Sequence, residues 1–112
     1  MQDLIQQLHN FNQNRDWEQF HSPKNLSMAL SVEAAELMEH FQWLTQDESR
    51  TLPDDKKEKV EEEIGDVLLY LLNLSDKLDI DPTEAARAKL RKNADKYPAH
   101  KAKGSATKYT EL

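Results

Sequence analysis

Apolar residues in this chain are gathered into two stretches, Leu26 to Leu44 and Ile64 to Leu78, and neither shows the strict alternation of a strand. Hydrophobic residues are 38% of the chain and charged residues 32%, so a core can form only where the apolar material is concentrated. With two glycines, and with Leu, Ala, Glu, Lys and Gln frequent, helix is favoured throughout. The expected fold is all-α: one domain over residues 1–98, a bundle of about four helices, then a polar tail over 99–112. The helices are expected from Asp3 to about Gln13, from Asn25 or Ser27 to about Leu44, from Asp54 to about Leu78, and from Pro82 to near Tyr97. Asp81 is the expected N-cap of the last, with Pro82 at its first position. Arg15 to Asn25 and Thr45 to Thr51 read as connections. The third helix, about 36 Å long at about 1.5 Å per residue, is apolar beyond Ile64 in nearly every direction except a band of Glu63, Asp66, Tyr70, Asn73 and Lys77. That much apolar surface predicts a homo-oligomer built through helix faces.

Both apolar stretches also contain acidic pairs, Glu33-Ala-Ala-Glu36 and Glu63-Ile-Gly-Asp66. A spacing of three puts the two carboxylates of a pair on one helix face, with Cβ atoms about 5–6 Å apart. Two such helices facing each other bring four negative charges together, and like charges resist desolvation unless a cation neutralises them. A single pair of this kind, such as Glu58 and Glu61, is common on a solvated helix; two in apolar surroundings point to a divalent metal. A di-iron centre would use Glu-x-x-His pairs, but His40 stands four residues after Glu36 and no His follows Glu63 at that spacing. The HExxH zinc pattern is absent. Asp76, Asp79 and Asp81 lack the glycine of a calcium loop and are interrupted by Pro82, so capping explains them better. Hard oxygen ligands then predict Mg²⁺, with Mn²⁺ as the alternative.

Trp17, Trp43 and Tyr70 surround these pairs in sequence and are candidate walls for a planar ring. Lys89, Arg91, Lys92 and Lys96, with Asn93, are candidates for phosphate contacts. The net charge of −6 and pI near 5.2 argue against a nucleic-acid polymer as partner. They leave nucleotides open, because a bound cation inverts the local field. The absence of cysteine removes disulfides, thiolate zinc sites and thiol nucleophiles. Without a signal-like amino terminus or an apolar run near the roughly 20 residues that span a bilayer, the expected setting is soluble and cytoplasmic, with no membrane partner.

The order Glu-x-x-Glu, a gap of 26 residues, then Glu-x-x-Asp resembles the signature of the MazG-type all-α nucleoside triphosphate pyrophosphohydrolases. The resemblance extends to their dCTP pyrophosphatase branch through RDWEQFHSPKNL (Arg15 to Leu26), ALSVEAAELMEHFQW (Ala29 to Trp43), EEIGDVLLYLL (Glu62 to Leu72), KYPAH (Lys96 to His100) and KYTEL (Lys108 to Leu112). It implies conversion of a dNTP, dCTP or a modified dCTP in this branch, to dNMP and pyrophosphate, in nucleotide-pool cleansing. It also implies Mg²⁺ on Glu33, Glu36, Glu63 and Asp66, a pyrimidine enclosed by Trp17, Trp43 and Tyr70, and a homotetramer. His9 matches a family histidine only with a displacement of one residue relative to Trp17. On this reading Glu36 or Glu63 serves as base, and Lys89, Asn93, Lys96 and Tyr97 steady the triphosphate. The rival reading is a non-catalytic helical module that binds a nucleotide or a partner through its aromatic groove.

Overall fold

A computed structural model describes residues 1–106, in which helices α1 (Gln2–Asn14), α2 (Pro23–Glu39), α3 (Gln46–Arg50), α4 (Asp54–Lys77), α5 (Pro82–Lys96) and α6 (Ala99–Ala102) follow one another. A single 3₁₀ turn, Glu18–Phe20, lies between the first two, and no strand occurs among the described residues. The KYTEL block lies outside the described residues. The chain forms two compact units, Met1–Asp79 and the part from Ile80 onward. No helix among the described residues is long and apolar enough to cross a membrane.

Helices α1, α2, α4 and α5 are the four that periodicity predicts, and the differences lie at their ends. α2 begins two residues before the earliest expected start, because Ser22 is extended and its hydroxyl accepts the Asn25 N–H at 3.1 Å, with Pro23 in the first turn. It stops at Glu39, five residues before Leu44. There the amides of His40 and Phe41 turn to the carbonyls three residues back, at 3.3 and 2.9 Å. A capping box explains the early stop: Thr45 takes the Glu48 N–H and Glu48 takes the Thr45 N–H, starting α3 inside the expected connection. Thr45 must be extended to do this, so the preceding helix cannot run through it. At the other end of α4, Asp79 occupies the left-handed position that usually takes glycine (φ 56°), and Asp81 caps α5 by accepting the amides of Thr83 and Glu84.

Within Met1–Asp79, α4 is the central element, packed along α2 and also against α1. Leu26 of α2 and Leu72 of α4 are fully buried, and Val60 joins them. Truncating Leu72 to alanine would cost about 2–5 kcal/mol, a large share of the stability of so thin a core. Met28, Val32 and Met38 on α2, and Ile64 and Leu71 on α4, remain exposed.

Candidate metal and nucleotide site

Because α2 lies along α4, the two acidic pairs face each other. Oxygens of Glu33, Glu36 and Glu63 all lie within 4.8 Å of one another, and the three side chains are half-buried. Asp66 stands one turn beyond Glu63, exposed to solvent, and adds its charge to the cluster. The carboxyl of Glu33 is pushed up to about 7, first by burial, then by the adjoining Glu36 carboxyl and the charges of Asp66 and Glu63. Glu63 is also raised, again by burial first and then by Glu36 and Asp66. His40, whose Nε2 is 4.0 Å from Glu63 Oε1, and a hydrogen bond with Glu33 act in the opposite direction.

One oxygen of Glu33 and one of Glu63 are buried without a hydrogen-bond partner. Buried acceptors in native structures are nearly always satisfied, and no neighbouring donor serves these two. Three carboxylates at this separation, with an orphaned oxygen on Glu33 and on Glu63 and with those two groups held toward the protonated form, suit a hard divalent cation of the Mg²⁺ or Mn²⁺ type.

Beside this cluster, α1, the following loop and α4 enclose a cavity of about 200 Å³. Trp17 and Tyr70 stand on its walls with Phe11, Leu8 and Leu69. The loop reaches this position through Asp16, which takes a left-handed conformation (φ 53°), and through the Trp17 amide, which donates to the Asn12 carbonyl at 3.0 Å. Trp17 then meets Phe11 edge to face, with centroids 5.6 Å apart, and Arg15 covers Phe11 with its guanidinium 3.7 Å from the ring centre. The 3₁₀ turn that follows is tied to α4 by Lys77, whose Nζ donates to Glu18 at 2.7 Å and holds that carboxyl below its usual range. Asn12, His21 and Asn73 supply polar lining, and Asp66 lines the same cavity. The acidic cluster and the aromatic cavity therefore adjoin at Asp66.

The remaining expected residues lie elsewhere. Trp43 is in the turn after α2, 87% exposed and outside the lining of this cavity. His9 on α1 pairs with Asp76 at 2.7 Å and is likewise outside that lining. Lys89, Asn93 and Lys96 succeed one another along α5, and Tyr97 is its C-terminal cap residue, all in the second unit. Sequence reasoning did not single out Asn12 or His21. The signal for Asn12 is its place on the apolar stripe of Leu4, Ile5 and Leu8, where a solvated asparagine is out of pattern.

The MazG-like family model matches residues 28–112. The chain is 42% identical over 111 residues to dCTP pyrophosphatase 1 of Mus musculus and 44% identical over 111 residues to that of Homo sapiens. Each match covers 96% of this chain and 65% of the relative, so the chain spans less than two thirds of the length of these curated relatives. A pyrophosphatase from Archaeoglobus fulgidus, known from its crystal structure, superposes with a TM-score of 0.83 at 46% identity, over 88% of this chain and 92% of that one. The family match takes in both acidic pairs, and the likeness in fold to a solved pyrophosphatase extends over most of the helices: this chain belongs to the MazG-like family.

Proposed function

We propose that the chain is a metal-dependent nucleotide pyrophosphohydrolase that converts a dNTP, with dCTP or a modified dCTP as the preferred substrate, to dNMP and pyrophosphate. The observation that carries this reading is Asp66, which lines a cavity suited to a planar ring and whose charge acts on Glu33 and Glu63 of a carboxylate cluster suited to a cation. The likeness to dCTP pyrophosphatases and to a solved pyrophosphatase supports it. Removal of free nucleotides from the pool would place the work in the cytoplasm.

In this reading Glu33, Glu36, Glu63 and Asp66 hold Mg²⁺, or Mn²⁺ in its place. The ion would supply positive charge for phosphate oxygens and lower the pKa of water. Trp17 and Tyr70 hold the base, which sets the direction in which the phosphate chain leaves the cavity. Glu36 or Glu63 accepts the proton of the attacking water, whose oxygen joins phosphorus as the bond between the α- and β-phosphoryl groups breaks and pyrophosphate departs. Lys89, Asn93, Lys96 and Tyr97 are the chain's candidates for further phosphate contacts, since they bring positive charge and hydrogen-bond donors. Trp43 and His9 complete the nucleotide set only if association or a movement of their segments brings them to the base. A homotetramer would serve that purpose and would also cover the apolar side chains exposed on α2 and α4.

The test is to incubate the chain with dCTP and Mg²⁺ and measure pyrophosphate, then repeat with the other dNTPs and with base-modified dCTP. Release of dCMP and pyrophosphate, abolished by chelation, is expected. No pyrophosphate above background from any of these substrates would reject the enzymatic reading in favour of a binding module.

A further inference from the structure

Three polar side chains are buried among the described residues, and Ser75 is accounted for by its bond to the Leu71 carbonyl at 2.8 Å. The other two, Asn12 and Asn73, are 2% and 9% exposed and bond to each other, Asn12 Nδ2 donating to Asn73 Oδ1 at 2.9 Å. They come from α1 and α4, and both line the cavity that holds Trp17 and Tyr70. An apolar pair would join two helices here without desolvating two amides.

We propose that Asn12 and Asn73 are a specificity-determining pair that reads the hydrogen-bonding edge of the pyrimidine held between Trp17 and Tyr70. This inference rests on the nucleotide reading above. A primary amide offers two donor hydrogens and an acceptor oxygen. The mutual bond occupies one of the two Asn12 Nδ2 hydrogens and the Asn73 oxygen, and no other side-chain hydrogen bond to either residue is found among the described residues. What the pair still offers is an acceptor, Asn12 Oδ1, with donors on the second Asn12 Nδ2 hydrogen and on Asn73 Nδ2. Turning both amides over keeps the mutual bond and exchanges the two roles, so a donor and an acceptor stand together in either arrangement. Their complement is a ring edge with an acceptor and a donor side by side, such as the ring nitrogen and exocyclic amino group of cytosine.

Two further observations support a ligand at this place. His21 lines the same cavity, and its Nδ1 is buried with no hydrogen-bond partner among the described residues. The cavity, about 200 Å³, is smaller than the roughly 300–1,000 Å³ of pockets that enclose whole drug-sized ligands. It has the scale of a base, with sugar and phosphates outside it.

The experiment is calorimetric titration of the full chain with dCMP and with the analogue that lacks the 4-amino group, for the wild type, Asn73→Ala, and the double variant Asn12→Leu/Asn73→Leu. The double variant refills the space with apolar atoms and keeps a folded comparison if the alanine variant melts early. The wild type should prefer dCMP about tenfold, the effect of one buried hydrogen bond, and the preference should fall to about twofold or less in the variants. A pair with only a structural role would weaken both ligands equally and leave the ratio unchanged, which would overturn the proposal. A wild type with no preference would overturn it as well. Selective dCMP binding without pyrophosphate release from dCTP would uphold the pair's role and overturn the catalytic reading alone.

Discussion

Two polar clusters lie along α4, one half-buried and one buried, and they handle desolvation in opposite ways. Toward its middle, Glu63 meets Glu33 and Glu36, and the groups there repel: oxygens are orphaned and Glu33 is held protonated up to about pH 7. Further on, Asn73 meets Asn12, and the two share one hydrogen bond at 2.9 Å without any net charge. The first cluster is under electrostatic stress that a cation would relieve. The second is neutral, and its remaining hydrogen-bonding capacity suits an uncharged ring. A nucleotide asks for both chemistries at once, one for its phosphates and one for its base.

The sharpest test of the contrast is at the acidic cluster. Glu36→Gln or Asp66→Asn should lower turnover of dCTP by about 10²–10³-fold or more while circular dichroism shows the same helical content. Near-normal pyrophosphate release by both variants would break the division of labour. Trp17→Ala should act on the other cluster, weakening dCMP binding by about 10- to 100-fold, as expected for a lost base–aromatic contact. Its midpoint for Mg²⁺, followed by titration, should stay within about twofold of the wild type.

Acidity gives a smaller effect with a defined sign. Because the folded pKa of Glu33 is raised from 4.5 to about 7, the folded state holds a proton that the unfolded chain releases first. Its contribution is fully present below pH 4.5 and is lost as pH rises to about 7. In chelator the melting temperature should therefore fall over that window by about 5 °C or less. Mg²⁺ should remove the slope, and Glu33→Gln should reduce it, since Glu63 is raised as well.

Glu18 has the opposite sign. Lys77 holds its pKa below 4.5, so that pair contributes above pH 4.5 and is lost as pH falls through the lowered value. Being partly exposed, it should matter least: Lys77→Met should lower the melting temperature by about 2 °C and raise KM for dCTP about twofold by loosening the turn after Trp17. A larger change in KM than in stability would show that the turn positions the tryptophan.

Much of the site was legible because helices convert spacing into geometry. Glu33 and Glu36 had to share a face, Tyr70 had to follow Asp66 by about one turn, and the gap between the acidic pairs left room for α2 and α4 to lie side by side. The helix ends were less legible. The capping box at Thr45 and Glu48 competes with the helical pattern through Trp43, and which of them prevails depends on hydrogen bonds that are individually small. The Asn12–Asn73 bond was out of reach, since it joins residues 61 positions apart.

By itself the sequence determined the helical class, the four main helices and the two acidic faces, because these follow from residues within a few turns of each other. Only the tertiary structure decided that Asp66 lines the aromatic cavity while its charge acts on Glu33 and Glu63. It also decided that Trp17 folds back over Phe11 and that two distant asparagines meet. Those outcomes depend on how α1 and α2 pack on α4, and packing is a property of surfaces that no local spacing contains.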